Sequence, residues 1–551
     1  MNKPVKILQQ ALAAYQSGNL AECERLGRRV LQQLPDHPDA LNLLGLAAAQ
    51  SGRPQEAADL FTRALRGSPG NAALHGHLGI ALRNLGRYEE AIQCFDRAIA
   101  LKHSHAVAHN NRGATLADLK RHEQAIASFE RAIAVNPGYA EASYNLGNSQ
   151  IELRRVDAAI ASYREAIAID ADFADAHNNL GVALAERNQH EDAIACYRRA
   201  IALEPQFADA YSNLGVALAD LKRYSEAFAA YERAIEIDPQ CADAHWNLAL
   251  CRLLLGDFER GWEGYEWRWK QDQVAKFKRH YPQPLWRGKE PVTGKTILLY
   301  AEQGLGDMLQ FCRYASRVAD LGARVLLEAP PALQSVLSGL RGVAQVIAQG
   351  ADTPAFDIHC PVTSLPLAFH TTADTIPRDV PYIAADDSRV VMWQGKLGVK
   401  IKPRAGLAWS GNLLPDPNRS MALADALPLA LEGIELISLQ KEVRASDAAL
   451  LATRPDIRHF GDELRDFADT AALIEAVDIV ISIDTSVAHL AGAMGKPLWI
   501  MLPYNPDWRW MMDRDDCLWY STARLFRQTA VGDWASVVRR VSEALRERFA
   551  L

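Results

Sequence analysis

The sequence lacks the patterns that would assign it at once to several common classes. Its eight cysteines are scattered without a CxxC pair, which argues against a disulfide framework or a zinc site. No apolar run is long enough to span a bilayer, and no basic block marks a nucleic-acid surface. The first residues, MNKPVKILQQ, do not resemble a secretory signal. We therefore expect a cytoplasmic protein with no membrane span and no nucleic-acid partner.

The composition is that of a globular protein with several domains. Hydrophobic residues make up 49% of the 551 residues, charged residues make up 23%, and the net charge is −7. This length is enough for about three or four domains of ordinary size.

The first half of the chain repeats every 34 residues. The repeats begin at Pro4, Pro38, Ala72, Ala106, Ala140, Ala174, Ala208 and Ala242. The eighth position is glycine, the twentieth is alanine, and the twenty-fourth is aromatic in the units from Pro38 to Ala208. Small residues allow the two helices of a unit to approach closely, and we expect the aromatic ring to fill the gap between units. This pattern resembles the tetratricopeptide repeat and predicts seven full repeats and an atypical eighth that caps the solenoid.

One polar column recurs at the sixth position of successive repeats. It consists of Asn111, Asn145, Asn179, Asn213 and Asn247. A row of amides on the concave face can hydrogen-bond an extended peptide backbone, and the protein O-GlcNAc transferases carry a similar row. The simpler interpretation is that the amides cap neighbouring helix ends.

A second column is acidic and occupies the second position of four repeats. It consists of Glu141, Asp175, Asp209 and Asp243. These acids either select basic or hydroxyl-bearing side chains of a bound peptide, or only stabilise the first turn of each helix.

The second half alternates short apolar runs with helical segments. Eight runs are predicted as strands: KTILLY, ARVLLEA, AQVIA, FDIHCPV, RAGLAWSG, IELISLQ, DIVISID and PLWIMLP. This alternation predicts parallel sheets with crossover helices, in two Rossmann-like domains of about four strands each. We place the solenoid at 1–270, a linker at 271–294, an acceptor-side domain at 295–390 and a nucleotide-sugar domain at 391–551.

Three predicted strand ends carry residues suited to a binding site, because ligands of parallel sheets bind at carboxyl ends. The first, EQGLGD, contains Gly304, Gly306 and Asp307. The second, GLAWSGN, contains Trp409 and Asn412. The third, DIVISIDTSVAHLAGAMG, contains Asp484, Thr485, Ser486 and His489 at a strand-to-helix junction. A helix N-terminus there is suited to a diphosphate, although a capping aspartate and a core-facing histidine explain the same residues.

The order of these loops resembles the heptosyltransferase-like glycosyltransferases of the GT-B fold. In that family a GDxL loop supplies a catalytic aspartate and a DTGxxH-type loop holds the donor diphosphate. The resemblance implies that Asp307 is a catalytic base and that the third loop binds a nucleotide-diphospho-sugar, without a metal or a further cofactor. Two positions differ: Ser486 replaces the usual glycine, and Arg419 stands where the family often has lysine.

A few further polar residues complete the candidate set. Gln440 and Lys441 follow the strand IELISLQ and are predicted to contact the nucleotide. His359 lies in FDIHCPV, with Asp357 beside it, and is the second candidate for the catalytic base.

The sequence therefore predicts an all-α superhelix followed by a GT-B-type α/β module. The predicted function is transfer of a sugar from a nucleotide-diphospho-sugar to a protein or peptide held in the repeat groove. The alternative is a non-catalytic scaffold with a degenerate transferase domain.

Overall fold

The computed structural model describes residues 3–411 and 417–551. The chain divides into two compact units, Met1–Asp238 and Pro239–Leu551. The domain boundaries predicted after residues 270, 294 and 390 stay predictions. The helix pair that begins at Ala242 is grouped with the second unit.

The first unit is built from seven consecutive helix pairs. They are α1 Lys3–Gln16 and α2 Leu20–Gln33, α3 Pro38–Gln50 and α4 Pro54–Gly67, α5 Ala72–Asn84 and α6 Tyr88–Leu101, α7 Ala106–Asp118 and α8 His122–Val135, α9 Ala140–Glu152 and α10 Val156–Ile169, α11 Ala174–Glu186 and α12 His190–Leu203, and α13 Ala208–Asp220 and α14 Tyr224–Ile237. From the second pair onward, each first helix begins at the residue that the 34-residue period predicts.

The glycine at the eighth position is required because it contacts the aromatic ring at the twenty-fourth. A Cβ atom on Gly147 would lie 2.5 Å from the ring of Tyr163, and Gly45 meets Phe61 at the same distance. Both rings are almost fully buried. The same ring of Phe61 lies 5.5 Å from His77 of the next repeat and shares a core cluster with Leu74 and Leu78, as expected of a residue that fills the gap between units.

The second unit begins with the atypical pair, α15 Ala242–Leu254 and α16 Phe258–Tyr265. Gly261 occupies the slot that is alanine in the other repeats, and a Cβ there would lie 2.6 Å from Leu253. The indole N–H of Trp262 in α16 donates to the carbonyl of Thr371, 2.9 Å away. A 3-10 turn, Glu266–Lys270, and the short helix α17, Asp272–Ala275, follow.

The first sheet has four parallel strands in the order β3-β2-β1-β4. The strands are β1 Thr296–Tyr300, β2 Arg324–Ala329, β3 Val343–Ala348 and β4 Ile358–Pro361. The helices of this part are α18 Leu305–Phe311, α19 Tyr314–Asp320, α20 Pro331–Leu337 and α21 Leu365–Ala368. All four strands were predicted from their apolar runs.

The second sheet has six parallel strands in the order β10-β9-β8-β5-β6-β7. The strands are β5 Arg404–Ala408, β6 Glu435–Ser438, β7 Ile457–His459, β8 Ile479–Ile483, β9 Leu498–Leu502 and β10 Ala523–Arg527. Its helices are α22 Asp387–Leu397, α23 Leu423–Ala426, α24 Ala445–Ala452, α25 Phe467–Glu475, α26 Ser486–Ala493 and α27 Trp534–Phe549. The expectation of four strands is corrected to six, because β7 and β10 are short or carry charged residues and lack a long apolar run.

The core of this sheet lies between its strands and the last helix. Buried side chains of β5, β8 and β9 form one cluster with Val537, Val541 and Leu545 of α27. The last helix therefore packs against the second sheet. Within the described ranges, no helix combines the length and apolar character that a membrane crossing requires.

Candidate functional site at the carboxyl ends of the strands

The six-stranded sheet has the strand order of a doubly wound nucleotide-binding fold. If β5 is counted as strand 1 and β10 as strand 6, the order read from β7 is 3-2-1-4-5-6, the arrangement of dinucleotide-binding sheets. The direction of winding reverses between β5 and β8, which are hydrogen-bonded neighbours. Ligands of such sheets bind in the crevice beyond the carboxyl ends of the two central strands. The second and third predicted loops both leave the sheet at this point.

These two loops contact each other next to the N-terminus of α26. A Cβ atom on Gly411 would lie 3.1 Å from the methyl group of Thr485 and 3.9 Å from the guanidinium of Arg419. Thr485 is the N-cap of α26, but its side chain makes no capping hydrogen bond, and both Thr485 and Ser486 are half-buried. The backbone N–H groups at a helix N-terminus, two hydroxyls and a guanidinium form an environment that favours an anion.

Asp484 lies immediately before this helix and carries a perturbed carboxyl. Burial and the nearby charge of Asp507 raise its pKa to about 6, while the charges of Arg509 and Arg419 act in the opposite direction. A carboxylate with this pKa is partly protonated just below neutral pH. The acid therefore opposes an incoming anion less than an ordinary aspartate does.

His489 is a buried residue of α26. Its Nδ1 lies 2.9 Å from the hydroxyl of Tyr520, and its ring stacks on Trp510 with 5.4 Å between centroids. Its Nε2 lies 3.7 Å from Asp484, and burial lowers its pKa well below the ordinary value, so the ring is neutral. A Cβ on Gly306 would lie 2.7 Å from this ring. His489 thus packs against the loop of the first sheet, which brings the two sheets together.

Asp307 lies on that same loop and forms an ion pair with a residue from the second sheet. One carboxylate oxygen accepts the N–H of Gly304 at 2.9 Å, which caps α18, and the other pairs with Arg509. Arg509 also contacts Asp507 at 2.8 Å and donates to Gln310 at 2.6 Å. Burial raises the pKa of Asp307 although Arg509 lowers it. The aspartate is therefore both a helix cap and a buried charged group.

A buried charged cluster beside this loop was not predicted from the sequence. Arg268 is fully buried and contacts Glu266 at 2.5 Å and Glu302 at 3.1 Å. Glu302 also accepts from Thr363, and Ser364 donates to Glu266 at 2.6 Å. Burial raises the pKa of Glu302 to about 7. The signals in the sequence were an acid directly after the strand, in LLYAEQ, and an arginine between two tryptophans, in EWRWK.

Three residues proposed for nucleotide binding form hydrogen bonds within the protein, and for Gln440 and Lys441 the nucleotide contact stays a prediction. Trp409 has no exposed surface, and its indole N–H donates to Asp447 at 2.9 Å, so the prediction that it contacts the donor is corrected. The amide of Gln440 accepts from the backbone of Trp409 and Ser410 and donates to Ser410 and Glu442. Lys441 is exposed, and its ammonium donates to the carbonyl of Arg465 at 2.9 Å.

The alternative base, His359, is buried away from Asp307. Its ring lies on β4 and packs against Tyr281 and Tyr300, at 5.0 and 5.7 Å between centroids. Asp357 accepts the backbone N–H of Thr296 at 2.7 Å. Thr296 is the first residue of β1, so this bond lies at the opposite edge of the sheet from the carboxyl ends of the strands. The expectation that His359 is a catalytic base is corrected, because its ring is buried in the packing of the first sheet, whereas Asp357 is exposed. Asn412, proposed as a nucleotide contact, lies outside the described residues.

The asparagine column is hydrogen-bonded from repeat to repeat. Asn145 donates to Asn110 at 3.1 Å, Asn179 to Tyr144 at 3.1 Å and Asn213 to Asn178 at 3.0 Å. Each bond joins the sixth position of one first helix to the fifth position of the preceding first helix. These amide N–H groups therefore hold adjacent repeats together, a role different from capping.

Two members of the column depart from this rule. The fifth-position partner of Asn111 would be Gly76, which has no side chain, and Asn111 donates instead to Val107 of its own helix at 2.9 Å. Asn247 is half-buried in α15. The acids Glu141, Asp175 and Asp209 are exposed beside the column. Peptide binding by these residues stays a prediction.

The described part of the chain contains no group of three histidine, cysteine, aspartate or glutamate side chains placed to hold a metal ion. Its free cysteines are mostly buried.

Comparison with known proteins identifies the first unit. One family model for the tetratricopeptide repeat matches three stretches, residues 8–72, 118–172 and 229–261. Three further tetratricopeptide repeat models match residues 48–110, 162–195 and 208–241, and a TPR repeat model matches residues 183–222. Protein FlbA of Caulobacter vibrioides is 24% identical over 322 residues, which is 54% of this chain. The chain spans about half of that relative, 53% of its length.

Among solved structures, the chain is similar to YrrB, described as a TPR protein with an unusual peptide-binding site. The identity is 24%, the match covers 34% of this chain and 96% of that one, and the TM-score is 0.30. It is also similar to MamA of Desulfovibrio magneticus, at 25% identity, 31% and 97% coverage and a TM-score of 0.29. The 34-residue helix pairs and the matched family models agree: residues 8–261 are tetratricopeptide repeats.

Proposed function

We propose that the chain is a glycosyltransferase that moves a sugar from a nucleotide-diphospho-sugar to a protein or peptide bound by its repeats. The observation that carries the proposal is the meeting of both sheets at one set of strand ends. Thr485 and Ser486 follow β8, Gly306 from the first sheet contacts His489, and Asp307 pairs with Arg509. Loops of two parallel sheets that meet in this way suit a substrate held between two α/β domains.

The donor diphosphate would lie at the N-terminus of α26. The helix N–H groups and the hydroxyls of Thr485 and Ser486 would donate to its oxygens, and Arg419 would balance its charge. When the sugar leaves, the bond between the anomeric carbon and the diphosphate breaks and the negative charge moves to the nucleotide. The same donors then stabilise the leaving group, which is where the charge develops.

Asp307 is the proposed base for the acceptor hydroxyl. As the acceptor oxygen bonds to the anomeric carbon, its proton would pass to the Asp307 carboxylate. A raised pKa suits this role, because a more basic carboxylate takes up the proton more readily. The carboxylate oxygen that pairs with Arg509 would have to exchange this partner for the acceptor hydroxyl.

The repeats would supply the acceptor. The amides of Asn145, Asn179 and Asn213 each donate an N–H to the preceding repeat, and the oxygen of Asn179 accepts from Asn178. The oxygens of Asn145 and Asn213 and the exposed acids Glu141 and Asp175 are therefore the groups suited to an incoming peptide. These groups accept hydrogen bonds and carry negative charge. They favour a segment with basic or hydroxyl-bearing side chains.

A scaffold without catalysis is the second candidate, and one observation favours it. Both carboxylate oxygens of Asp307 are engaged, one by the N–H of Gly304 and the other by Arg509. A purely structural aspartate would have these contacts. Tetratricopeptide repeats alone would then provide the binding function.

The decisive experiment tests thermal stabilisation and hydrolysis with UDP-, GDP-, ADP- and CMP-sugars. A ligand at a hundredfold excess over its Kd stabilises the folded state by about 2.7 kcal/mol. We expect one nucleotide class to stabilise the protein, and Thr485→Val with Arg419→Gln to abolish the shift. Thr62→Val, which changes an exposed helix residue of the first unit, is the matched control. If no nucleotide sugar stabilises the protein, the transferase proposal fails and the scaffold stands.

The acceptor site has its own test with charge-matched variants. Glu141→Gln, Asp175→Asn and Asp209→Asn together should weaken transfer to a basic peptide while donor hydrolysis is unchanged. Glu130→Gln, Glu165→Gln and Asp192→Asn remove the same charge from exposed positions on second helices. Equal effects of the two triple variants would assign the result to net charge and contradict recognition by the acidic column.

A further inference from the structure

A cleft of about 600 Å³ opens beside α16, and it is distinct from the strand ends. One wall is the face of α16 and the turn after it, with Glu259, Glu263 and Glu266 spaced by four and three residues. Arg287 and Lys289, which precede β1, line the cleft as well. Clefts of this volume hold drug-sized ligands or short peptide segments.

The rim of the cleft carries charges that the protein itself does not neutralise by direct contact. Glu259, Glu263 and Lys289 are exposed, and within residues 3–411 and 417–551 none of them forms a hydrogen bond or an ion pair. Elsewhere on this chain, surface charges commonly pair, as Arg260 does with Asp257 only one residue from this wall. The charge of Arg287 acts on Glu266, which leaves Glu259, Glu263 and Lys289 without a countercharge. These remaining groups are of both signs and are suited to a partner that supplies both countercharges.

The floor of the cleft is fixed by buried contacts. The indole N–H of Trp262 is bound to the carbonyl of Thr371, so the tryptophan cannot swing into the cleft without losing this bond. Glu266 is held by Arg268 and by Ser364, which anchors the end of the acidic wall. A site with a fixed floor loses little conformational entropy when a ligand binds.

The charge pattern excludes ligands of a single sign. A nucleic acid or another polyanion would approach Arg287 and Lys289 but would be repelled by the unpaired carboxylates of Glu259 and Glu263. A polycation would meet the reverse problem at the basic rim. A ligand with both signs, long enough to touch both sets of charges, satisfies all of these groups.

We propose that this cleft binds a polypeptide segment that carries both basic and acidic side chains. The basic side chains lie against Glu259 and Glu263 of α16, and the acidic ones lie against Arg287 and Lys289. This inference goes beyond the proposed transfer reaction and does not depend on it, because binding here involves neither Asp307 nor the N-terminus of α26.

The test is a selection of random displayed peptides on the full chain, with a charge-reversed protein as the counter-target. The counter-target carries Glu263→Lys and Arg287→Glu, both at exposed positions. Peptides that bind only the native protein are then synthesised, and their Kd is measured by calorimetry without any nucleotide sugar. We expect these peptides to contain both charge signs and to bind the reversed protein at least about tenfold more weakly, since like charges then face each other.

The matched control reverses one exposed pair on another surface, with Glu543→Lys and Arg539→Glu on α27. These changes leave net charge and composition identical to those of the counter-target and should leave the Kd unchanged. The neutral single variants Glu263→Gln and Arg287→Gln should each give an intermediate Kd, which guards against misfolding of the reversed protein.

The proposal is overturned if no selected peptide depends on the cleft, if the cleft-dependent peptides carry one sign only, or if the α27 control weakens binding equally. Failure of the nucleotide-sugar experiment would leave these measurements intact, so the two proposals stand or fall separately.

Discussion

The two units of this protein bury different kinds of polar group. The buried polar side chains described in the first unit are neutral and comprise asparagine, serine and threonine, such as Asn110, Asn178 and Ser212. The second unit buries charges, among them Arg268, Glu302 and Arg509. A neutral side chain needs one or two hydrogen bonds when buried, whereas an unpaired buried charge costs several kcal/mol. The repeats therefore hold together at low cost, while the α/β unit depends on networks in which every charge has a partner.

This difference bears on function because buried, perturbed charges concentrate at sites of chemistry. Glu302, Asp307 and Asp484 all have raised pKa values, and each lies shortly after a strand, in the connection or in the first turn of the next helix. In the repeats the ionised groups are at the surface, where they can select a partner but are not tuned for catalysis. Substitutions that affect one unit and spare the other would sharpen this comparison.

The largest expected effect is the loss of Arg268. We predict that Arg268→Met destabilises the second unit by about 3–5 kcal/mol, because it leaves Glu266 and Glu302 without their buried countercharge. Hydrogen exchange measured by mass spectrometry should show faster exchange in β1 and β4, with no change in residues 3–238. As a control, Arg260→Met removes an exposed arginine two turns earlier and should have little effect. If β1 and β4 are equally protected from hydrogen exchange in Arg268→Met and Arg260→Met, the buried charge network does not stabilise the second unit.

The second effect separates catalysis from stability at the Arg509 ion pairs. Asp307→Asn keeps the cap on Gly304 but loses the pairing with Arg509, and Asp507→Asn loses the other carboxylate on the same arginine. Both variants should therefore lose some stability. We predict that only Asp307→Asn lowers the rate of sugar transfer by about a hundredfold or more, the scale of a missing general base.

Melting curves and single-turnover rates of these two variants provide the measurement. Similar losses of rate in both would show that the ion pair, rather than a base, supports the reaction. Unchanged rates in both would favour the scaffold.

The third effect is a pH dependence confined to the second unit. The pKa of Glu302 is about 7 in the folded protein, above its ordinary value, so the folded state binds more protons than the unfolded state between roughly pH 4.5 and 7. Its contribution to stability is therefore fully present below about pH 4.5 and is lost as the pH rises through 7. In the native protein the unfolding free energy should fall as the pH rises through this range. We predict that Glu302→Gln makes this slope shallower by about 1 kcal/mol per pH unit.

Denaturant unfolding at a series of pH values checks this prediction. Glu259→Gln, an exposed acid on α16, is the control and should leave the slope unchanged. If the slope of Glu302→Gln equals that of the native protein, Glu302 does not titrate in this range.

What the sequence predicted correctly depends on local periodicity. The 34-residue period predicted the first residue of nearly every first helix, and apolar runs predicted eight of the ten described strands. The strand β7, Ile457–His459, has three residues with two polar ones, so it has no such run. Sheet order could not be predicted either, because it depends on which strands pair over long sequence distances.

Site residues were predicted less well because their roles depend on direction and on distant partners. Trp409 was selected for its place after a strand, yet it lies two residues beyond Leu407 and faces the same core. The partners of Arg268 lie 34 and 96 residues away, at Glu302 and Ser364, which no local pattern reveals. Asp307 and the Gly304 N–H that it accepts lie in the same short segment, and its role as a base stays a prediction.

The smallest expected effect tests the asparagine column by comparing two of its own members. Asn145 donates to Asn110 of the preceding repeat, and Asn110 is only 1% exposed. Asn145→Ala would leave the Asn110 oxygen buried without this donor, which costs about 1–2 kcal/mol. Asn111 occupies the same position one repeat earlier but donates to its own helix at Val107. Since that bond joins no second repeat and alanine favours helix, Asn111→Ala should change stability by less than about 0.5 kcal/mol. Urea unfolding monitored by circular dichroism measures both, and equal losses would mean that the column stabilises each helix separately. If Asn145→Ala alone is destabilising, the column is a connection between repeats, formed by a bond from the sixth position of one first helix to the fifth position of the preceding one.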